Sequence, residues 1–377
     1  MSALSITPFT VAIPEATLGD LRQRLAHTRH AAAIDSDGWS AGMPPQVLRT
    51  LLAHWQDFDW RAAETAINAY PAFRTEIDGV GLHFVHVRGE GPNCIPLILT
   101  NGWPSCFLEL LPLIPLLTKS VNGLAFDIVI PSLPGYGFSD QPLEPGMNIT
   151  RIAALWARLM AGLGYARFVA HGSDMGAGVV DRLRANHAGQ LIAIHMINVF
   201  SGYPADGALA PEEAAYLAAA GQWRAAESAY AMLHASKPQT IAAALNDTPA
   251  GLAAWIGEKF HGWRDGGLRM DDRAALDALC AVLTVYWATQ TIGSSQRLYR
   301  EAFADAGAMS PPPRHGVPVG VAVFPADILP APRTWAQRWF DRCDWQAMPR
   351  GGHFPGFETP ELLADELRRF VAALPAG

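Results

Sequence analysis

The spacing of apolar residues changes along the chain, and the predicted element changes with it. Residues 1–75 carry polar, helix-like stretches around LGDLRQRLAHTR and PQVLRTLLAHWQDF, which read as a helical and irregular N-terminal segment. From Arg74 the texture shifts to alternating and continuous apolar runs, TEIDGVGLHFVHVRG and then PLILTNGWP. These predict a hairpin feeding a buried strand. FDIVIPSLPGYGFSD predicts another buried strand ending in a Gly/Pro loop, and NITRIAALWARLMAGLG then sets Ile152, Leu155, Trp156, Leu159 and Met160 on one helical face.

The same alternation returns in ARFVAHGSDMGAGVVDRLRANH, LIAIHMINVF and VPVGVAVFPADI, and in a closing helix with Thr359 as its N-cap and Pro360 at its first position. Alternating units of this kind predict an α/β fold with a mainly parallel sheet and helices on both faces. Between 202 and 300 the strand signal fades into Ala-rich helical patterns carrying Trp223, Trp255, Trp263 and Trp287. The expected organisation is an N-terminal segment over 1–75, a core over 76–201 and 301–377, and a helical lid over 202–300.

Half of the 377 residues are apolar and 17% are charged, enough to bury a large core and no signature of disorder. The net charge of -7 without a Lys or Arg run leaves no electrostatic footprint for nucleic acid. Small neutral partners fit better. Cys94, Cys106, Cys280 and Cys343 lack CxxC spacing and read as buried thiols. The N-terminus shows neither a signal peptide nor a membrane span, so a cytoplasmic location is the default. The sequons at Asn148 and Asn246 are treated as chance. Neither a metal nor an organic cofactor is expected, and a homo-oligomer is compatible with the sequence.

Candidate chemistry begins where the strand RFVAH runs into Gly172-Ser173-Asp174-Met175-Gly176 and then a helix. In a nucleophile elbow the residues two positions either side of the nucleophile must be small, so that the backbone folds sharply beneath the exposed side chain. Centring on Asp174 puts Gly172 and Gly176 there, whereas centring on Ser173 puts His171 and Met175 there and crowds the turn. The spacing selects a carboxylate nucleophile, although an Asp N-cap fits the same place. Such a carboxylate suits displacement at an sp³ carbon, leaving an ester for activated water to cleave.

His353 stands in MPRGGHFPGFETPELL on a Gly-rich loop before the last helix, a setting from which an imidazole reaches the elbow. Asp327 follows the strand GVAVFPADI at the carboxyl edge of the sheet and is preferred over Asp341 and Asp344 as the acid that orients His353. The order Asp174, Asp327, His353 is that of nucleophile, acid and histidine in α/β-hydrolases.

At this point the chain resembles the microsomal-type epoxide hydrolases. The likeness is carried by FTVAIPEATLGDLRQRLAHTRH, DWRAAETAINAYPAF, NGWPSCFLE, LPGYGFSD, HGSDMGAG, YAMLHASKPQT, YWATQTIGSSQRLYRE and MPRGGHF. It implies an α/β-hydrolase fold with a lid insertion and an N-terminal extension, acting on a small-molecule epoxide and water. By resemblance Asp174 is the nucleophile, His353 the base and Asp327 the acid, while Tyr230 and Tyr299 match the lid tyrosines that protonate the epoxide oxygen. Tyr286 serves as a structural control. The family's HGxP motif appears as Asn101-Gly102-Trp103-Pro104, with Asn in place of His. Backbone N–H groups of Trp103 and Met175 are then the expected oxyanion donors, with Asn101, Gly102 and Pro104 supporting the loop. A haloalkane dehalogenase shares the ester chemistry but usually carries Trp after the nucleophile, where this chain has Met175. A noncatalytic binding protein on the same fold is the remaining alternative.

Overall fold

The computed structural model describes residues 4–32, 38–307, 310–311, 313 and 316–375. Its strands are β1 (Ile6–Phe9), β2 (Ala72–Ile77), β3 (Val80–Val87), β4 (Ile95–Thr100), β5 (Phe126–Pro131), β6 (Phe168–Gly172), β7 (Leu191–Met196), β8 (Val319–Val323) and β9 (Cys343–Ala347). They form one nine-stranded sheet in the order β1-β2-β3-β5-β4-β6-β7-β8-β9. The pairs from β5 to β9 are parallel, and β1, β2 and β3 add an antiparallel edge. This is the expected α/β-hydrolase architecture, with helices on both faces. The inner strands are mostly apolar because both of their faces are covered: every residue of β5, β6 and β8 is buried, Asp127 and His171 included.

The edge holds a correction. Expected to be helical and irregular, the N-terminal segment also contributes β1, which pairs Ile6 with Thr75 and Phe9 with Ala72. Four residues, one of them proline, carry no strand pattern of their own; the free edge of β2 makes them a strand.

The predicted face of the helix Ile149–Gly162 packs as expected, with Ile152, Leu155, Trp156, Leu159 and Met160 all buried. Its N-cap is Asn148, whose side chain accepts from Arg151 N–H at 2.9 Å. Pro360 opens the last helix, Pro360–Ala372, but the Thr359 side chain makes no capping bond. Cys106 and Cys280 are buried as read, whereas Cys94 and Cys343 are partly exposed.

The lid helices are Pro211–Glu227, Ala229–Ser236, Pro238–Leu245, Pro249–Gly262, Arg273–Thr289 and Ile292–Ala304. Several begin on proline, whose missing N–H costs nothing in the first turn. The N-terminal helix Pro45–Gln56 backs this lid, and Trp55 Nε1–H donates to Thr284 Oγ1 at 2.9 Å. Among the described residues no single helix is long and apolar enough to cross a membrane.

Candidate active site

The order of strands reverses beside β4, which lies between β5 and β6. At such a switch point the loops leaving neighbouring strands part and leave a crevice at their carboxyl ends. Thr100 and Gly172 are register partners at those ends, so the Asn101-Gly102-Trp103 loop and the Asp174 turn emerge side by side.

Asp174 adopts φ 52° and ψ -123°, a strained conformation for a residue with a side chain. The two glycines around it are required by packing. A Cβ on Gly172 would lie 2.7 Å from Ala177 N, and one on Gly176 would lie 2.7 Å from the Thr100 carbonyl carbon. Gly102 is equally constrained, since its Cβ would fall 2.7 Å from Asp174 Cγ. Trp103 N–H donates to Asp174 Oδ1 at 2.9 Å, so one carboxylate oxygen already occupies the place expected for an oxyanion. Met175 opens the following helix directly after Asp174, and none of the described hydrogen bonds joins its N–H to the carboxylate. Asn101 is buried, and its Nδ2 donates to Gly102 O at 2.9 Å, a contact that fits loop support.

His353 is brought to the nucleophile by its loop, where its N–H donates to Trp263 O at 2.8 Å. Nδ1 lies 2.6 Å from Asp327 Oδ1, while Nε2 is 3.6 Å from Asp174 Oδ2, too long for a direct hydrogen bond. Asp327 Oδ1 also accepts from Ile328 N–H at 2.7 Å. Burial alone would lower the His353 pKa. The Asp327 and Asp174 carboxylates outweigh it and hold the imidazole well above its usual value. Asp344, by contrast, pairs with Arg369 at 3.0 Å, away from the histidine.

Tyr230 and Tyr299 come from two lid helices and meet over this site, with ring centroids 5.9 Å apart and edge-on. Trp103 stacks on Tyr230 at 5.3 Å and meets Tyr299 edge-on at 6.0 Å. The Tyr299 hydroxyl is buried without a hydrogen-bond partner. Burial raises both phenols above their ordinary pKa, and the Asp174 carboxylate adds to the rise in each. Tyr286 is differently placed, its hydroxyl donating to Ser105 O at 3.1 Å inside the core.

A cavity of about 160 Å³ ends at Asp174 and is lined by Met175, Val199, Phe200, Phe303 and Phe340 among others. Neither Tyr230 nor Tyr299 lines it. Sequence reasoning missed Asn198, whose Oδ1 accepts the Asp174 N–H at 3.0 Å. It follows β7 as Asp327 follows β8, so the same edge-of-sheet signal points to it. Glu109 was missed as well. Burial pushes its carboxyl up to about 7, with the His353 charge pulling the other way. It closes the NGWPSCFLE stretch that carries the resemblance, but an acid within FLELLPL reads as a helix-surface charge and was given no role.

A family model described as epoxide hydrolase N terminus matches residues 6–110, and one described as alpha/beta hydrolase fold matches 95–251. A relative from Stigmatella aurantiaca (strain DW4/3-1), provisionally named an epoxide hydrolase, is 41% identical over 98% of this chain and 86% of its own length. Epoxide hydrolase 1 of Sus scrofa is 34% identical over 98% of this chain and 89% of its length. Among solved structures, an Aspergillus niger epoxide hydrolase superposes with a TM-score of 0.88 at 29% identity, covering 99% of this chain and 97% of its own. The juvenile hormone epoxide hydrolase of the silkworm Bombyx mori gives 0.86 at 28%, covering 98% and 94%.

Proposed function

The chain belongs to the epoxide hydrolase family, and we propose that it opens epoxides to vicinal diols through an ester on Asp174. The observation that carries this reading is the strained Asp174 elbow, held by the Trp103 N–H and set beside a His353–Asp327 pair 2.6 Å apart. Asp174 attacks an epoxide carbon while Tyr230 and Tyr299 donate to the oxygen that leaves the ring. A phenol suits this task, because it gives a proton to a nascent alkoxide without quenching the carboxylate. Water deprotonated by His353, with Asp327 steadying the imidazolium, then attacks the ester carbonyl. The Trp103 and Met175 N–H groups hold the oxyanion, with Asn101, Gly102 and Pro104 shaping the loop.

The largely apolar cavity beside Met175 and Val199 borders Asp174 and is the space next to the nucleophile for a substituent of the epoxide. The chain divides for this task into the N-terminal segment 1–75 that backs the lid, the lid 202–300 that supplies the phenols, and the core 76–201 and 301–377 that supplies the triad.

The test is a single turnover of wild-type enzyme on styrene oxide in ¹⁸O-water. The label is expected in the Asp174 carboxylate, since water attacks the ester carbonyl and the diol receives an enzyme oxygen. Label in the diol alone would mean direct attack by water. Halide release from a bromoalkane, measured alongside, is expected to be negligible because Met175 has no side-chain N–H for a halide.

A further inference from the structure

Lys259 lies buried in the lid, its Nζ 4.6 Å from the centroid of the Tyr230 ring and 5.9 Å from that of Trp263. Its partner Glu258 is 2.7 Å away, but the two differ in exposure: the Lys259 side chain is 6% exposed and that of Glu258 31%. Among the described residues no lysine or arginine lies over the ring of Tyr299. The two tyrosines are therefore electrostatically unequal. We infer that Lys259 is a positioning residue that makes Tyr230, and not Tyr299, the phenol that surrenders its proton. The inference rests on the two-tyrosine reading above.

The charge balance explains why a cation belongs there. When an Asp174 oxygen bonds to the epoxide carbon, the ring C–O bond breaks and its electron pair goes to the epoxide oxygen. That oxygen takes the Tyr230 hydroxyl proton. The negative charge that began on Asp174 thus ends on the Tyr230 phenolate, while Asp174 becomes a neutral ester. In the second step water gives its proton to His353 and its hydroxyl to the ester carbonyl. The departing alkoxide recovers a proton from His353, and the Asp174 acid released returns its proton to Tyr230.

The Asp174 charge opposes ionisation of Tyr230 in the resting enzyme, and that opposition disappears as the ester forms. An ammonium close to the ring then attracts the charge arriving there. Glu258 opposes it, and its side chain is the more exposed of the two, where solvent screens a charge more than in the buried position of Lys259. An ionised Tyr230 in turn discourages ionisation of Tyr299, so one phenol transfers the proton while the other keeps its own and donates a hydrogen bond.

The experiment measures single-turnover alkylation by styrene oxide and the later ester hydrolysis separately, using full-length Lys259→Met and Lys259→Arg. Lys259→Met should slow alkylation on the order of tenfold while ester hydrolysis keeps its rate, a split that a merely structural role does not produce. Lys259→Arg should retain alkylation. Combined with Tyr230→Phe, Lys259→Met should cause no further slowing, and combined with Tyr299→Phe it should keep its full effect. Wild-type alkylation by Lys259→Met, or equal slowing in the Tyr230→Phe background, overturns the inference. If Tyr230→Phe alone alkylates at wild-type speed, the two-tyrosine reading itself has failed. Should Lys259→Met not fold, Glu258→Gln carries the test. Removal of the offsetting carboxylate should leave alkylation as fast as wild type or faster, and slower alkylation overturns the proposal.

Discussion

His353→Gln should divide the reaction at the covalent intermediate. Nε2 lies 3.6 Å from Asp174 Oδ2, beyond hydrogen-bond length, so the nucleophile is held by the Trp103 N–H and the Asn198 side chain and not by the imidazole. Attack by a carboxylate on carbon needs no base. Alkylation is therefore expected within about tenfold of wild type, the span of 1.4 kcal/mol. Ester hydrolysis loses its general base, a contribution of roughly 10²–10⁴, so the enzyme should react once and stall. A glutamine amide can still donate to the buried Asp327, which loses at most a charge-assisted hydrogen bond of about 1.5–3 kcal/mol, and the fold should survive. Intact-mass analysis after mixing with styrene oxide should show one added substrate mass, mapped to Asp174 by peptide digestion. Sustained turnover without an adduct, or an adduct on another residue, would refute the reasoning.

Tyr230→Phe or Tyr299→Phe should each slow alkylation by about 10²-fold or less, and the pair by more, because general acids contribute roughly 10²–10⁴. The double variant alkylating at wild-type speed would end their assignment. Tyr286→Phe loses the bond to Ser105 O and should cost about 1 kcal/mol of stability, with no change in alkylation rate. Gly176→Ala drives a methyl against the main chain of Thr100 at the end of β4 and of Asn101 just after it and should cost about 1–3 kcal/mol; unchanged Tm and activity would mean that the elbow tolerates a side chain. The pH dependence has a defined sign. Asp174 is one of the two charges that raise His353, and ester formation removes it, so the histidine pKa falls in the intermediate. Hydrolysis needs the neutral base and is lost as pH drops through that lowered value. Asp174→Asn should lower the His353 midpoint in an NMR titration, and a midpoint at or above that of wild type contradicts the electrostatics.

Much of this arrangement is legible in the chain itself, because its causes are local. The apolar runs of the inner strands, the buried face Ile152 to Met160 and the small residues two positions from Asp174 each reflect constraints acting within a few residues. The sequence order of nucleophile, acid and histidine follows from the fold's connectivity. What only the tertiary structure decided are contacts between residues that no pattern joins. Strand β1 exists because β2 offers an open edge. Asn198 reaches the Asp174 N–H because β6 and β7 are register neighbours. Lys259 is set against Tyr230 by the packing of lid helices, and its own helix shows nothing in sequence to separate a buried lysine from a solvated one. Periodicity specifies which face of an element is buried, but the partner on that face depends on how distant elements pack. The charge environment of each catalytic group is therefore settled only when the sheet, lid and N-terminal segment close together.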